Sequence, residues 1–110
     1  MERLRIMGLI EPIVEKSPNK IALIGHNGES LTYKQLGDSV KAMGNYLTTL
    51  GIQPNQRIAF VSRSALETAI AFLAISNIAA FAPLSPDYSE LQYKYYFDLL
   101  KIDALMIPEN

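Results

Sequence analysis

From Arg57 onward the chain alternates short, uninterrupted apolar runs with longer segments that open like helices, and this order constrains the fold more than any other feature. Arg57-Ile-Ala-Phe-Val61, Ala79–Leu84 and Ala104-Leu-Met-Ile107 read as strands, because they lack the alternating polar residues of a strand wetted on one face. Between the first two, Ser64-Ala-Leu-Glu67 has the Ser/Thr-x-x-Glu/Gln form of a capping box and opens an Ala-rich helix to about Asn77. Between the second and third, Ser89-Glu-Leu-Gln92 opens another helix, with Leu91, Tyr95 and Leu99 as its apolar stripe. Strands that are apolar on both faces need cover on both sides. Joined by helices, they predict a parallel sheet with right-handed crossovers.

The first half of the chain reads differently. Thr32-Tyr-Lys-Gln35 is a capping box, and Leu36, Val40, Met43, Leu47 and Leu50 follow at steps of four, three, four and three. Gly51 and Pro54 supply the stop. Leu4, Met7, Ile10 and Val14 also keep a helical period, but Pro12 predicts a kink or a late start, and Ser17-Pro18-Asn19 ends the segment. Ile21–Ile24 and Ser30–Tyr33 flank Asn27-Gly28, which predicts a β-hairpin closed by a type I′ turn. The expected class is α/β: an N-terminal helix and β-hairpin followed by a βαβαβ parallel-sheet unit. Ile58, Phe60, Ala82, Leu84, Leu105 and Ile107 are expected in one sheet, covered by Leu36–Leu50 and Leu66–Ile75.

Composition narrows the function classes. With 110 residues, 49% of them apolar, the chain suits one domain or a piece of one. Ten Lys and Arg against eleven Asp and Glu give a net charge of −1, so no basic excess exists to neutralise a nucleic-acid backbone. No cysteine is present, which excludes a disulfide framework and thiolate chemistry and fits a cytoplasmic protein. The uncharged run Thr68–Leu84 falls short of the roughly 20 residues of a membrane span. It is broken by Ser76-Asn77 and Pro83, so a buried helix running into a buried strand explains it better. Met1–Pro12 is too short in its apolar part for a secretory signal.

Chemistry-bearing motifs are sparse. The six glycines, at 8, 25, 28, 37, 44 and 51, allow neither GxGxxG nor GxxxxGK[ST]. The one histidine, His26, sits beside the Asn-Gly turn and reads as solvated rather than catalytic. Asp87, Glu90 and Asp98 read as an exposed charged face. Tyr88, Tyr93, Tyr95 and Tyr96 read as core and helix-surface tyrosines, since base stacking lacks a basic patch here. No catalytic or metal-ligating residue is assigned. The one positional hint is the loop Ser85-Pro86-Asp87-Tyr88, which leaves a parallel strand at its carboxyl end and meets a capped helix start. Ligands of open α/β sheets bind there, so Ser85, Asp87 and Tyr88 are candidate ligand-facing residues; the competing reading is a Pro-rich turn that only reverses the chain.

Four segments, taken in order, resemble the acyl-adenylate-forming enzymes: acyl-CoA synthetases, nonribosomal adenylation domains and luciferases. Leu31-Thr-Tyr-Lys-Gln-Leu36 is similar to the family's Leu-Thr/Ser-Tyr-x-Glu-Leu, with Gln35 in place of Glu. Gly51-Ile-Gln-Pro-Asn-Gln-Arg-Ile-Ala59 resembles Gly-Val-x-Pro-Gly-Asp-Arg-Val-Ala, with Asn55-Gln56 for Gly-Asp. Phe72–Ile75 with Ala79–Leu84 resembles Leu-Ala-x-x-x-x-Gly-Ala-x-x-x-Pro-Leu, one residue shorter and without its glycine. Leu84-Ser-Pro-Asp-Tyr88 with Glu90 resembles Leu-Asn-Pro-x-Tyr-x-x-Glu, the Glu arriving one residue early. The Ala-rich strand entry and the aromatic stretch Tyr93–Phe97 somewhat resemble the oxalate–CoA ligase branch, and the medium- or long-chain fatty acyl and aryl-acid branches share most of these features.

The resemblance implies a two-step ligase using ATP, Mg²⁺ and commonly CoA. A carboxylic acid is first joined to AMP with release of pyrophosphate, and the acyl group then passes to a thiol. Adenylation makes a good leaving group, with Mg²⁺ and cationic side chains stabilising the phosphoryl charge. The family's phosphate loop, adenine-contacting segment, ribose Asp and catalytic Lys all fall further along its members. By this reading residues 1–110 are the N-terminal segment of an AMP-binding domain, inactive alone, whose chief partner is the remainder of its own polypeptide. The isolated piece is expected to self-associate through an open sheet edge or uncovered apolar surface. A stand-alone binding module on the same partial fold, or an unrelated flavodoxin-like domain, are the other readings that the sequence leaves open.

Overall fold

The computed structural model describes residues 6–108. In chain order the elements are α1 (Ile6–Lys16), β1 (Ile21–Ile24), β2 (Ser30–Thr32), α2 (Tyr33–Thr49), β3 (Arg57–Val61), α3 (Ala65–Ser76), β4 (Ala80–Leu84), α4 (Glu90–Leu100) and β5 (Ala104–Met106). This is the expected α/β order. Helix α1 runs through Pro12, and Leu4, the first residue of its expected stripe, lies outside the described residues.

Strands β1 and β2 pair antiparallel, as the hairpin reading requires, with an irregularity between Ile21 and Leu23. The type I′ turn does not form. That turn needs positive φ at both central residues, whereas only Gly28 adopts it, at φ 89°. The connection is the longer Gly25–Glu29, closed by the Gly25 N–H donating to the Glu29 carbonyl at 2.6 Å and the Gly28 N–H donating to the Gly25 carbonyl at 3.1 Å.

Thr32 and Gln35 complete the capping box of α2: the Thr32 hydroxyl accepts from the Gln35 N–H at 3.1 Å, and the Gln35 carboxamide accepts from the Thr32 N–H at 2.9 Å. Leu36, Val40 and Leu47 bury the stripe. Gly51 ends it in the left-handed conformation, φ 77°, which costs a residue without Cβ least. Helix α3 starts at Ser64, whose hydroxyl accepts from the Glu67 N–H at 3.2 Å, but this box is only half formed. Glu67 turns away and accepts from the Ser62 hydroxyl at 2.8 Å, while Ser62 takes the Ser64 N–H at 3.0 Å.

The three later strands form one parallel sheet in the order β4-β3-β5. With β3 in the centre, right-handed crossovers carry α3 and α4 to opposite faces. The register pairs Ile58 with Phe81 and Ala104, and Phe60 with Pro83 and Met106. These side chains share the face under α2 and α3, where Leu47, Ile58, Phe60 and Ile75 are the largest fully buried side chains. Phe60 lies 6.2 Å from Phe81 and Phe81 lies 5.7 Å from Phe72, centroid to centroid.

Three expectations about this layer need correction. Ala82, Leu84 and Leu105 belong to the same sheet but point to the α4 face, because their register partners are Ala59 and Val61 rather than Ile58 and Phe60. A strand alternates its side chains, so of the expected set α2 and α3 cover only Ile58 and Phe60. Ile107 lies beyond the end of β5 and is 64% exposed. The expected stripe of α4 is also turned outward: Leu91, Tyr95 and Leu99 are exposed, and Tyr93, Tyr96, Phe97 and Leu100 are the half-buried set. Helix α4 is tied to the sheet at its far end by Arg57, whose guanidinium donates to the Leu100 carbonyl at 2.9 Å. Asp103 completes the tie, accepting from the Arg57 N–H and donating its own N–H to the Arg57 carbonyl, both at 2.8 Å.

Candidate functional site

Two loops meet beyond the carboxyl ends of the parallel strands: Ser62-Arg63-Ser64 after β3 and Ser85–Tyr88 after β4. They are neighbours because β3 and β4 pair in register through Val61 and Leu84. The Arg63 guanidinium and the Asp87 carboxylate bridge them at 2.7 Å, each side chain 71% exposed. The hydrogen bond to Asp87 is the main reason that the Arg63 pKa rises above its already high ordinary value, with the carboxylate charge second. Arg63 is charged at any physiological pH in either case.

The three candidate residues fall together in this loop. The Ser85 hydroxyl accepts from the Asp87 N–H at 3.1 Å, which folds the turn, and the Ser85 carbonyl accepts from the Tyr93 hydroxyl at 2.6 Å, which ties it to α4. Tyr88 stacks on Tyr96 with centroids 5.0 Å apart and planes 19° off parallel, and meets Tyr93 edge-on at 5.6 Å. Desolvation within this cluster, followed by the influence of Tyr96 and Tyr93, keeps the Tyr88 phenol protonated to higher pH than usual. Serine 89 and Gln92 complete a capping box that fixes the α4 start directly behind the loop.

Sequence reasoning missed Arg63 and the tyrosine pair Tyr93 and Tyr96. The rule that singled out the loop after β4 applies equally to the loop after β3, and it would have found Arg63. The tyrosines required the helix phase of α4, which the pattern misread. His26 is exposed in the hairpin connection, and Glu90 and Asp98 are exposed on α4, so none of them joins the loop pair.

What these loops offer chemically is an exposed cation–anion pair, two serine hydroxyls and an aromatic stack. Among the described residues no three His, Asp or Glu side chains come close enough together to hold a metal ion. The glycine spacing supplies no phosphate-cradling loop either. These residues therefore do not fit ATP–Mg²⁺. Among the described residues no helix is long and apolar enough to cross a membrane.

The sequence model of the AMP-binding enzyme family matches residues 10–110. The chain belongs to the AMP-binding enzyme family. Its match to surfactin synthase subunit 2 of Bacillus subtilis (strain 168) is 28% identical over 109 residues, 93% of this chain and 3% of that protein. With the 3-oxocholest-4-en-26-oate–CoA ligase of Rhodococcus rhodochrous it shares 29% identity over 104 residues, covering 94% of this chain and 19% of the ligase. The N-terminal subdomain of Klebsiella oxytoca NpsA, solved in complex with 3-hydroxyanthranilyl-AMSN, superposes with a TM-score of 0.83 at 20% identity, over 96% of this chain and 27% of that one. This AMP-binding family chain thus spans only a small part of each of these three proteins. Its fold is that of the N-terminal subdomain of an adenylation domain.

Proposed function

We propose that residues 1–110 are the N-terminal segment of the adenylating domain of an ATP-dependent carboxylate-activating ligase, which forms an acyl-adenylate and then an acyl-CoA thioester. The observation that carries this reading is the AMP-binding enzyme match across residues 10–110. The segment is structural: it sets the first parallel strands and offers the loop of Ser85, Asp87 and Tyr88 as a ligand-facing edge. ATP, Mg²⁺ and CoA are held by the rest of the polypeptide. Similarity to the steroid-acid CoA ligase supports CoA as acceptor. Similarity to surfactin synthase favours a second reading, in which a carrier-protein thiol takes the acyl group. The absence of cysteine suits the reducing cytoplasm as its setting.

The test measures pyrophosphate release by the full native protein and by the isolated 110 residues, over a panel of carboxylic acids with ATP and Mg²⁺. Acid-dependent release by the full protein alone is the expected result, and adding CoA or a carrier domain separates the two acceptors. Turnover by the isolated piece overturns the structural assignment. A full protein that releases no pyrophosphate with any acid overturns the ligase reading and supports a non-catalytic binding role instead. Without the chain that covers its sheet edges, the isolated piece is further expected to self-associate.

A further inference from the structure

Helix α4 is fixed at both ends, and one of its side chains carries that fixity into the candidate loop. Its start is set by the Ser89–Gln92 capping box, and its last turn is held to β3 by the Arg57 guanidinium on the Leu100 carbonyl. From the inner face between them, the Tyr93 hydroxyl donates to the Ser85 carbonyl at 2.6 Å. Ser85 opens the loop and shapes the rest of it. Its hydroxyl accepts from the Asp87 N–H at 3.1 Å, while the Tyr93 ring meets Tyr88 edge-on at 5.6 Å.

The other ties on this loop are weaker. The Tyr88 N–H reaches the same Ser85 carbonyl only at 3.5 Å, beyond the usual range of an N–H···O bond. The Arg63–Asp87 pair is 71% exposed on both sides, where water screens it. The Tyr93 bond is partly buried, so its loss leaves a half-covered carbonyl with only that long contact.

Charge narrows what the loop can meet. Arg63 is already paired with Asp87, and the first turns of α3 and α4 add Glu67 and Glu90. An edge with this surplus of carboxylates repels phosphate groups and suits an uncharged stretch of a substrate.

We propose that Tyr93 is the positioning residue of the loop, its hydroxyl holding Ser85, Asp87 and Tyr88 where an uncharged stretch of the acid or of the thiol acceptor meets them. This deepens the ligase reading and rests on it. The bond lies wholly inside the segment, so it does not depend on which outer surfaces the rest of the polypeptide covers.

Tyr93→Phe removes the hydroxyl and keeps the ring against Tyr88; Tyr95→Phe, on the exposed outer face, is the control. Pyrophosphate release by the full native protein is measured with acid, ATP and thiol acceptor varied in turn. Tyr93→Phe is expected to raise KM for the acid or for the thiol by about three- to tenfold, the factor that one neutral hydrogen bond is worth, with KM for ATP unchanged and kcat within about twofold. Which KM moves identifies the substrate. Hydrogen exchange read by mass spectrometry is expected to quicken over Ser85–Tyr88 in Tyr93→Phe and not in Tyr95→Phe. Unchanged KM values in an active enzyme, a rise confined to ATP, a fall in kcat with all three KM values raised, or unchanged exchange would each overturn the proposal. A wild type that releases no pyrophosphate fails the ligase reading instead, and the exchange comparison still decides whether Tyr93 holds the loop.

Discussion

Replacing Phe60 by Ala tests the assignment of the core most directly. Phe60 lies in the central strand β3 and is 1% exposed. Its ring faces Phe81 at a centroid distance of 6.2 Å and shares the covered face with Ile58 and Leu47. Truncating a buried Phe removes its transfer free energy and leaves a void, together about 3–5 kcal/mol. The site has one outlet. Phe60 also borders an apolar groove of about 850 Å³ between α2 and β5, lined by Met43, Leu47, Ile70 and Met106 among others. A void that opens into a groove admits water or a shifting Met43, which lowers the cavity penalty, so the expected loss is about 3 kcal/mol, the low end of the range. Against a typical total stability of about 5–15 kcal/mol, that is a large fraction. Urea denaturation followed by far-ultraviolet circular dichroism measures it, with Ile24→Ala as control because Ile24 is 74% exposed. The control should move by no more than about 0.5 kcal/mol. A Phe60→Ala loss below about 1 kcal/mol would mean that β3 is not the central covered strand.

The remaining expectations concern α4 and its loop. Lys101 caps α4 in the left-handed conformation, φ 53°, so Lys101→Gly is expected to raise the urea midpoint by about 0.5–1 kcal/mol of stability. A loss of that size would mean that the Lys101 side chain holds the cap. Asp87→Asn removes a pair whose partners are both 71% exposed, so stability should change by less than about 1 kcal/mol, and the change should shrink further in high salt. Tyr88 ionises above the ordinary tyrosine value, so the folded chain keeps that proton where the unfolded chain loses it. Its contribution is complete below about pH 10 and disappears as pH rises through the folded value. Phenolate absorbance titration of wild type and Tyr88→Phe should show that the component lost in the variant ionises above the ordinary tyrosine value.

Much of the architecture could be read from the sequence because it rests on local rules. Capping boxes at Thr32 and Ser89, the stop at Gly51 and the unbroken apolar runs each report a short-range physical requirement, and the elements form where those requirements predict. The misreadings arose where tertiary packing decided the outcome, either the backbone path of a turn or the direction of a side chain. The Asn27-Gly28 pair favours a tight turn, but the hairpin closes over Gly25–Glu29 and only Gly28 needs positive φ. Glu67 has the sequence position of a capping-box acceptor, yet the Ser62 hydroxyl, supplied by the end of β3, takes its carboxylate instead. In α4 the spacing of Leu91, Tyr95 and Leu99 is helical, but so is that of Tyr93, Phe97 and Leu100, and the second set is turned inward. A helix rich in apolar residues on two faces has no phase that its sequence alone can settle.

The candidate site follows a different logic from the fold. Its position was legible, because strand order and chain direction determine which loops gather at the carboxyl edge of a parallel sheet. Its composition was legible only for the loop after β4, where Pro86 and the capped helix start draw the eye to Ser85, Asp87 and Tyr88. Arg63 comes from the other loop, and it enters the site only because β3 and β4 are adjacent and in register. Tyr93 and Tyr96 come from the inner face of α4, where one phase of the helix stacks against Tyr88 and the other leaves Leu91, Tyr95 and Leu99 outside. A single rotational choice of α4 therefore decides both the aromatic floor of the loop and the apolar stripe on the helix's outer face. Any change that rotates α4 should alter the two together, whereas a change confined to Lys94 or Asp98 should alter only the outer face.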